Sequence, residues 1–134
     1  EGPSAGRVLL AEDNIVNRRI AQAFLEKIGF SVDTVANGRE AVDAAATGLY
    51  ALALMDVQMP EMDGLSATEE IRRLEFAAGR PRLPIVAMTA NAMNGDRERC
   101  LAAGMDDYLA KPVNEEKVQQ KVREWVGRSS AAAS

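Results

Sequence analysis

With 134 residues, 47% of them hydrophobic and 27% charged, the chain has the length of one domain able to bury a core. Twenty Asp and Glu against 16 Lys and Arg leave a net charge of −4, which argues against nucleic acid or an anionic membrane as a direct partner. The histidine count is zero, which excludes Ser-His-Asp and Cys-His catalysis, His-bearing metal sites and any phosphohistidine on this chain.

Residues 1–6 are small and polar and read as a tail or linker ahead of a domain over 7–127. The first strand is the apolar run Val8–Ala11, closed by Glu12 and Asp13. In the amphipathic stretch that follows, Ile20, Phe24 and Ile28 share one face at a period of 3.6, and Gly29 is the stop. The second strand, Ser31–Ala36, mixes polar with apolar residues and suits a sheet edge. A helical run stopped by Gly48 leads to the third strand, Leu52–Met55, which Asp56 closes. A loop rich in turn residues and a helix stopped by Gly79 lead to the fourth strand, Pro84–Met88, ending at Thr89. The fourth helix, near Asn94–Ala103, has the weakest apolar stripe and stops at Gly104. The fifth strand, Asp107–Ala110, is short, belongs at the other edge and is followed by Lys111. Asn114 with Glu115 and Glu116 has the form of a helix cap and an acidic first turn. Val118, Val122, Trp125 and Val126 share the inner face of that last helix, with Gly127 as its stop and residues 128–134 as a second tail.

Alternation of strand and helix five times predicts an α/β fold, a doubly wound parallel sheet with helices on both faces. The longest apolar runs are about five residues, against roughly 20 for a membrane-spanning helix. Cys100 has no partner for an intramolecular disulfide, which fits a reducing, cytoplasmic setting; it reads as a small helix residue. Arg72, Arg73, Arg80 and Arg82 read as a solvated face, and the six methionines as packing.

All strands of a parallel sheet present their carboxyl ends at one edge, where ligands of such folds bind. Glu12, Asp13, Asp56, Thr89 and Lys111 therefore converge from four distant segments. Two unit charges about 4 Å apart repel by about 4 kcal/mol at an effective dielectric near 20. Three carboxylates need a raised pKa or a cation, and Mg²⁺ suits an all-oxygen site that also admits a phosphoryl group, with Mn²⁺ as the alternative. A lysine ammonium and a threonine hydroxyl beside one carboxylate favour an arriving anion. The reaction class is phosphoryl transfer to Asp56.

The segments VLLAEDN, LMDVQMPEMDG, PIVAMTA and DDYLAKP, in this order and spacing, closely resemble the receiver domain of two-component response regulators, over about Arg7 to Gly127. The resemblance implies a flavodoxin-like (βα)5 fold with strand order 2-1-3-4-5. It implies that Asp56 takes a phosphoryl group from a phosphohistidine on a histidine kinase or a histidine phosphotransfer protein. On that match the domain catalyses its own phosphorylation and dephosphorylation. Asp13, Asp56 and the Gln58 backbone carbonyl would ligate Mg²⁺, Glu12 would act largely through water, and Lys111 and Thr89 would contact phosphoryl oxygens. The Lys111–Pro112 bond would be cis. Thr89 and Tyr108 would be the switch residues, and the fourth helix, fifth strand and fifth helix the output face. Ala51 departs from the family pattern, where Asp is frequent, but lies away from the site.

The wording MDVQMPEMDG and AGMDDYLAKPV is most like receivers of hybrid sensor histidine kinases, which pass the group on in a phosphorelay; Ile15, Val16 and Arg19 would then meet the partner. The parent protein would be a cytoplasmic or membrane-bound sensor, with this domain on the cytoplasmic side. A stand-alone single-domain regulator and a non-phosphorylated pseudo-receiver are the alternatives. A haloacid-dehalogenase-type phosphatase needs an acid two residues after the nucleophile, where Gln58 stands. A flavodoxin-like FMN carrier needs an uncharged phosphate loop after the first strand, where EDNIVN stands.

Overall fold

A computed structural model describes residues 6–90 and 95–133. Its elements alternate as the sequence predicts: β1 Gly6–Ala11, α1 Ile15–Lys27, β2 Phe30–Val35, α2 Gly38–Ala45, β3 Leu52–Asp56, α3 Gly64–Ala78, β4 Ile85–Thr89, α4 Arg97–Ala103, β5 Asp107–Ala110 and α5 Glu115–Ala133. The five strands are parallel in the order β2-β1-β3-β4-β5. Asp56 and Thr89 are the last residues of their strands, which run one position past the expected ends at Met55 and Met88.

Side chains alternate across a strand, so each central strand feeds two cores. Leu9, Ala53, Met55, Ile85 and Ala87 point to one face and pack with Ala41 and Val42 of α2, Ala67 and Ile71 of α3 and Cys100 of α4. Val8, Leu10, Leu52, Leu54, Val86 and Met88 point to the other, against Ala21 and Leu25 of α1 and Val118 and Val122 of α5. Every residue of β3 and β4 is buried, whereas β2 and β5 lie at the edges and are partly exposed. Burial on both faces is why the central strands are unbroken apolar runs.

The helix signals hold with three corrections. Asn114 caps α5 as expected, its Oδ1 accepting from the Lys117 amide at 2.8 Å. Gly79 and Gly104 close α3 and α4 in the left-handed conformation, at φ 66° and 109°. Gly127 does not stop α5, whose backbone stays helical through Ala133; a glycine in a helix costs about 1 kcal/mol and no proline follows to end the run. The inner face of α1 is Ala21 and Leu25, flanked by half-buried Phe24 and Ile28, while Ile20 is 43% exposed. The sheet takes the narrower stripe and leaves Ile20 with Ile15 and Val16 in solvent. Arg72 does not belong to a solvated face. Its guanidinium donates to the Gly104 carbonyl (2.9 Å), Glu75 and Asp106 Oδ2 (2.8 Å), tying α3 to the turn before β5. Part of the segment expected as the start of the fourth helix lies outside the described residues.

Candidate functional site

The sheet brings Glu12, Asp13, Asp56, Thr89 and Lys111 to one edge because each stands at or just past the carboxyl end of its strand. Register fixes their order: Asp56 pairs with Met88, and the Lys111 amide donates to the Thr89 carbonyl at 2.8 Å. An open cleft there is lined by Glu12, Asp13, Asp56, Gln58 and Lys111, among others. Glu12 and Asp56 are buried and Asp13 is exposed.

Lys111 Nζ lies 2.9 Å from Asp56 Oδ2 and 3.3 Å from Glu12 Oε1, bridging the two buried carboxylates. Burial alone would pull the lysine down, but bonding to Asp56 and the charges of Asp56 and Glu12 hold it above its ordinary value. Glu12 is pushed up to about 7, chiefly by burial and further by neighbouring Asp56, although the Asn14 amide donates to its Oε2 at 3.1 Å. The Gln58 amide donates to Asp56 Oδ1 at 3.1 Å, so both Asp56 oxygens are held. The loop after Asp56 folds back tightly: the Gly64 amide donates to the Val57 carbonyl, and a Cβ on Gly64 would stand 2.2 Å from the Asp56 carbonyl oxygen. Only glycine allows that approach.

Carboxylate oxygens of Glu12, Asp13 and Asp56 lie within 4.8 Å of one another, an all-oxygen set of the kind hard divalent ions prefer. The Lys111–Pro112 peptide is cis. Tyr108 is half-buried against the α2–α4 core, with the Arg97 guanidinium 5.8 Å from its ring centroid. The Thr89 hydroxyl donates to Asp96 Oδ2 at 2.7 Å, and Arg99 holds the other Asp96 oxygen at 2.8 Å. Asp96 was not legible as part of the site, because an acid at a helix start ordinarily reads as a cap. Here its carboxylate caps no α4 amide.

A family profile described as the response regulator receiver domain matches residues 8–123. The chain belongs to that family. Among curated relatives, this receiver is 46% identical over 123 residues to the sensor protein GacS of Pseudomonas syringae pv. syringae, covering 92% of the chain and 14% of GacS. The chain thus spans a small part of the length of the relatives it matches. Among solved structures it is similar to the receiver domain of sensor histidine kinase PA1611 from Pseudomonas aeruginosa PAO1, described with a magnesium ion coordinated in the active-site cleft. That match has a TM-score of 0.82 and 47% identity, covering 91% of this chain and 98% of that one. It is also similar to the Saccharomyces cerevisiae Ssk1 receiver domain co-crystallised with the histidine phosphotransfer protein Ypd1 (TM-score 0.86, 36% identity, 92% and 89% covered). This is a two-component receiver of the kind found in hybrid sensor kinases.

Proposed function

We infer that this receiver accepts a phosphoryl group on Asp56 from the phosphohistidine of a histidine kinase or phosphotransfer protein and passes it along a His-Asp relay. The observation that carries the reading is the Lys111 bridge. An ammonium held against a buried carboxylate at the floor of an open cleft is a ready contact for phosphoryl oxygens. In the transfer, an Asp56 carboxylate oxygen forms the bond to phosphorus as the phosphorus–nitrogen bond of the donor breaks. The electron pair leaves with the donor imidazole, which takes up a proton. Lys111 stabilises charge on the transferred group and Thr89 supplies a hydroxyl donor to it. Little covalent chemistry falls to other side chains, so placement and charge account for the catalysis.

The residues present fit a hard divalent ion: three carboxylates share one small volume, and burial, with neighbouring Asp56, pushes Glu12 up to about 7. Asp13, Asp56 and the Gln58 backbone carbonyl would hold Mg²⁺, or Mn²⁺ in its place, with Glu12 acting through water. Bound there, the ion would neutralise phosphoryl charge as it builds. The carboxylate cluster and the magnesium described in the PA1611 receiver support this assignment.

The partner surface we assign is the start of α1. Ile15, Val16 and Ile20 are exposed on the same helix as exposed Arg19, and Ile20 lines a cavity that reaches Lys111 and Pro112. The Ssk1–Ypd1 pairing supports a histidine phosphotransfer partner, and the relation to GacS supports a hybrid sensor-kinase parent, which we assign to the cytoplasm. Among the described residues no helix is long and apolar enough to cross a membrane. The deciding experiment is phosphoryl uptake from acetyl phosphate and from a phosphorylated phosphotransfer domain in the presence of Mg²⁺. The parent chain labels and Asp56→Asn does not; persistent labelling of that variant refutes the assignment.

A further inference from the structure

Thr89 and Asp96 are both buried, and the 2.7 Å bond between them joins the end of β4 to the beginning of α4. Asp96 stands where a helix cap would stand, yet its carboxylate is turned to Thr89 and Arg99 instead of to α4 amides. Arg99 lies one helical turn further along and keeps the second oxygen occupied at 2.8 Å. The backbone of Thr89 is fixed by β5 through its carbonyl, which leaves rotation of the side chain as the available movement. A hydroxyl carries one proton to donate. Thr89 therefore cannot donate to Asp96 and to a phosphoryl oxygen on Asp56 at the same time.

We propose that Asp96 is a positioning residue for the phosphoryl chemistry. It holds the Thr89 hydroxyl at the start of α4 until the group on Asp56 competes for it, and so sets both the affinity of the occupied state and its coupling to α4. The proposal rests on the reading of Asp56 as phosphoacceptor. Arg99 makes the exchange feasible, because Asp96 keeps a charged partner after Thr89 leaves. The same turn of α4 carries Arg97 over Tyr108, so displacement of Asp96 is felt by a second residue of the output face.

The test is a double-mutant cycle read by beryllium fluoride, an anion that mimics the phosphoryl group, titrated in Mg²⁺ and followed by fluorine NMR. Asp96→Ala removes the holding partner and is expected to tighten binding about tenfold, the worth of one charge-assisted hydrogen bond released. Asp96→Asn preserves volume and tightens it by less; it stands in if circular dichroism finds Asp96→Ala unfolded. In a Thr89→Val background, Asp96→Ala is expected to change affinity by less than about threefold, because the group it competes for is gone. A purely structural role would give the same change in both backgrounds and would overturn the proposal, as would unchanged or weaker binding by the Asp96 variants. A parent that binds no beryllium fluoride and takes up no phosphoryl group overturns the phosphoacceptor reading, and this proposal with it.

Discussion

Arg72 and Arg73 are sequence neighbours on α3 with opposite surroundings, and substituting each by methionine separates a structural arginine from a surface one. The Arg72 side chain is 14% exposed and its partner Asp106 is 11% exposed; Arg73 is 64% exposed and pairs with Glu70 on the surface. Removing one member of a well-buried ion pair costs about 3–5 kcal/mol. Two features reduce that figure here. Asp106 keeps Arg82 and the Ile85 amide, and Glu75 keeps the Leu83 amide, each at 2.8–2.9 Å. The Gly104 carbonyl also keeps a donor in Arg82. Arg72→Met is therefore expected to cost about 2–3 kcal/mol, a large share of the 5–15 kcal/mol typical of a domain. At a urea slope near 2 kcal/mol/M the unfolding midpoint falls by about 1–1.5 M. Arg73→Met should leave the midpoint where it was. The assay is urea unfolding followed by circular dichroism on both variants. A fall below about 0.3 M for Arg72→Met, or an equal fall for Arg73→Met, refutes the reasoning.

Asp13→Ala should weaken Mg²⁺ binding more than about tenfold by calorimetry without altering the unfolding midpoint, since Asp13 is exposed. Lys111→Met should lower the rate of phosphoryl uptake by at least about a hundredfold while strengthening Mg²⁺ binding, because the ammonium between Glu12 and Asp56 is gone. Equal ion affinity in the two proteins would contradict that. Gly64→Ala drives a methyl group into the Asp56 carbonyl and should cost about 3 kcal/mol and impair phosphoryl uptake. The Tyr50 hydroxyl, raised to about 12 by burial and then by its bond to Asp33, holds its proton more tightly folded than unfolded. Its contribution to stability is thus complete below pH 10 and fades as pH climbs toward 12, and Tyr50→Phe should flatten that alkaline fall in a pH series of thermal melts.

The strand–helix alternation and the loaded edge were legible because the evidence is local, whereas the strand order came from the resemblance to receiver domains. Leu52–Met55 is apolar for want of any solvent face, and Asp56 follows where the strand must end. What stayed hidden depends on distance along the chain. Arg72 meets Gly104 and Asp106, 32 and 34 residues away, and nothing in IRRLE separates it from Arg73. Ile20 looked like core because a period of 3.6 tolerates several phases, and only docking on the sheet selects Ala21 and Leu25. Gly127 was misjudged because a glycine biases a helix end without enforcing one. Asp96 carried an ordinary cap signature, and its bond to Thr89 exists only once β4 and α4 are assembled.

The Lys111 bridge also bears on how the domain comes to exist. Where a cluster of acids is scaffolded by a metal, the chain depends on that metal to fold, and a chelator unfolds it. Here an amino group of the same chain already lies between Glu12 and Asp56. On that geometry, folding is expected not to require a divalent ion, and an ion held at the proposed site would serve signalling alone. Chelation should silence such a domain and leave it standing.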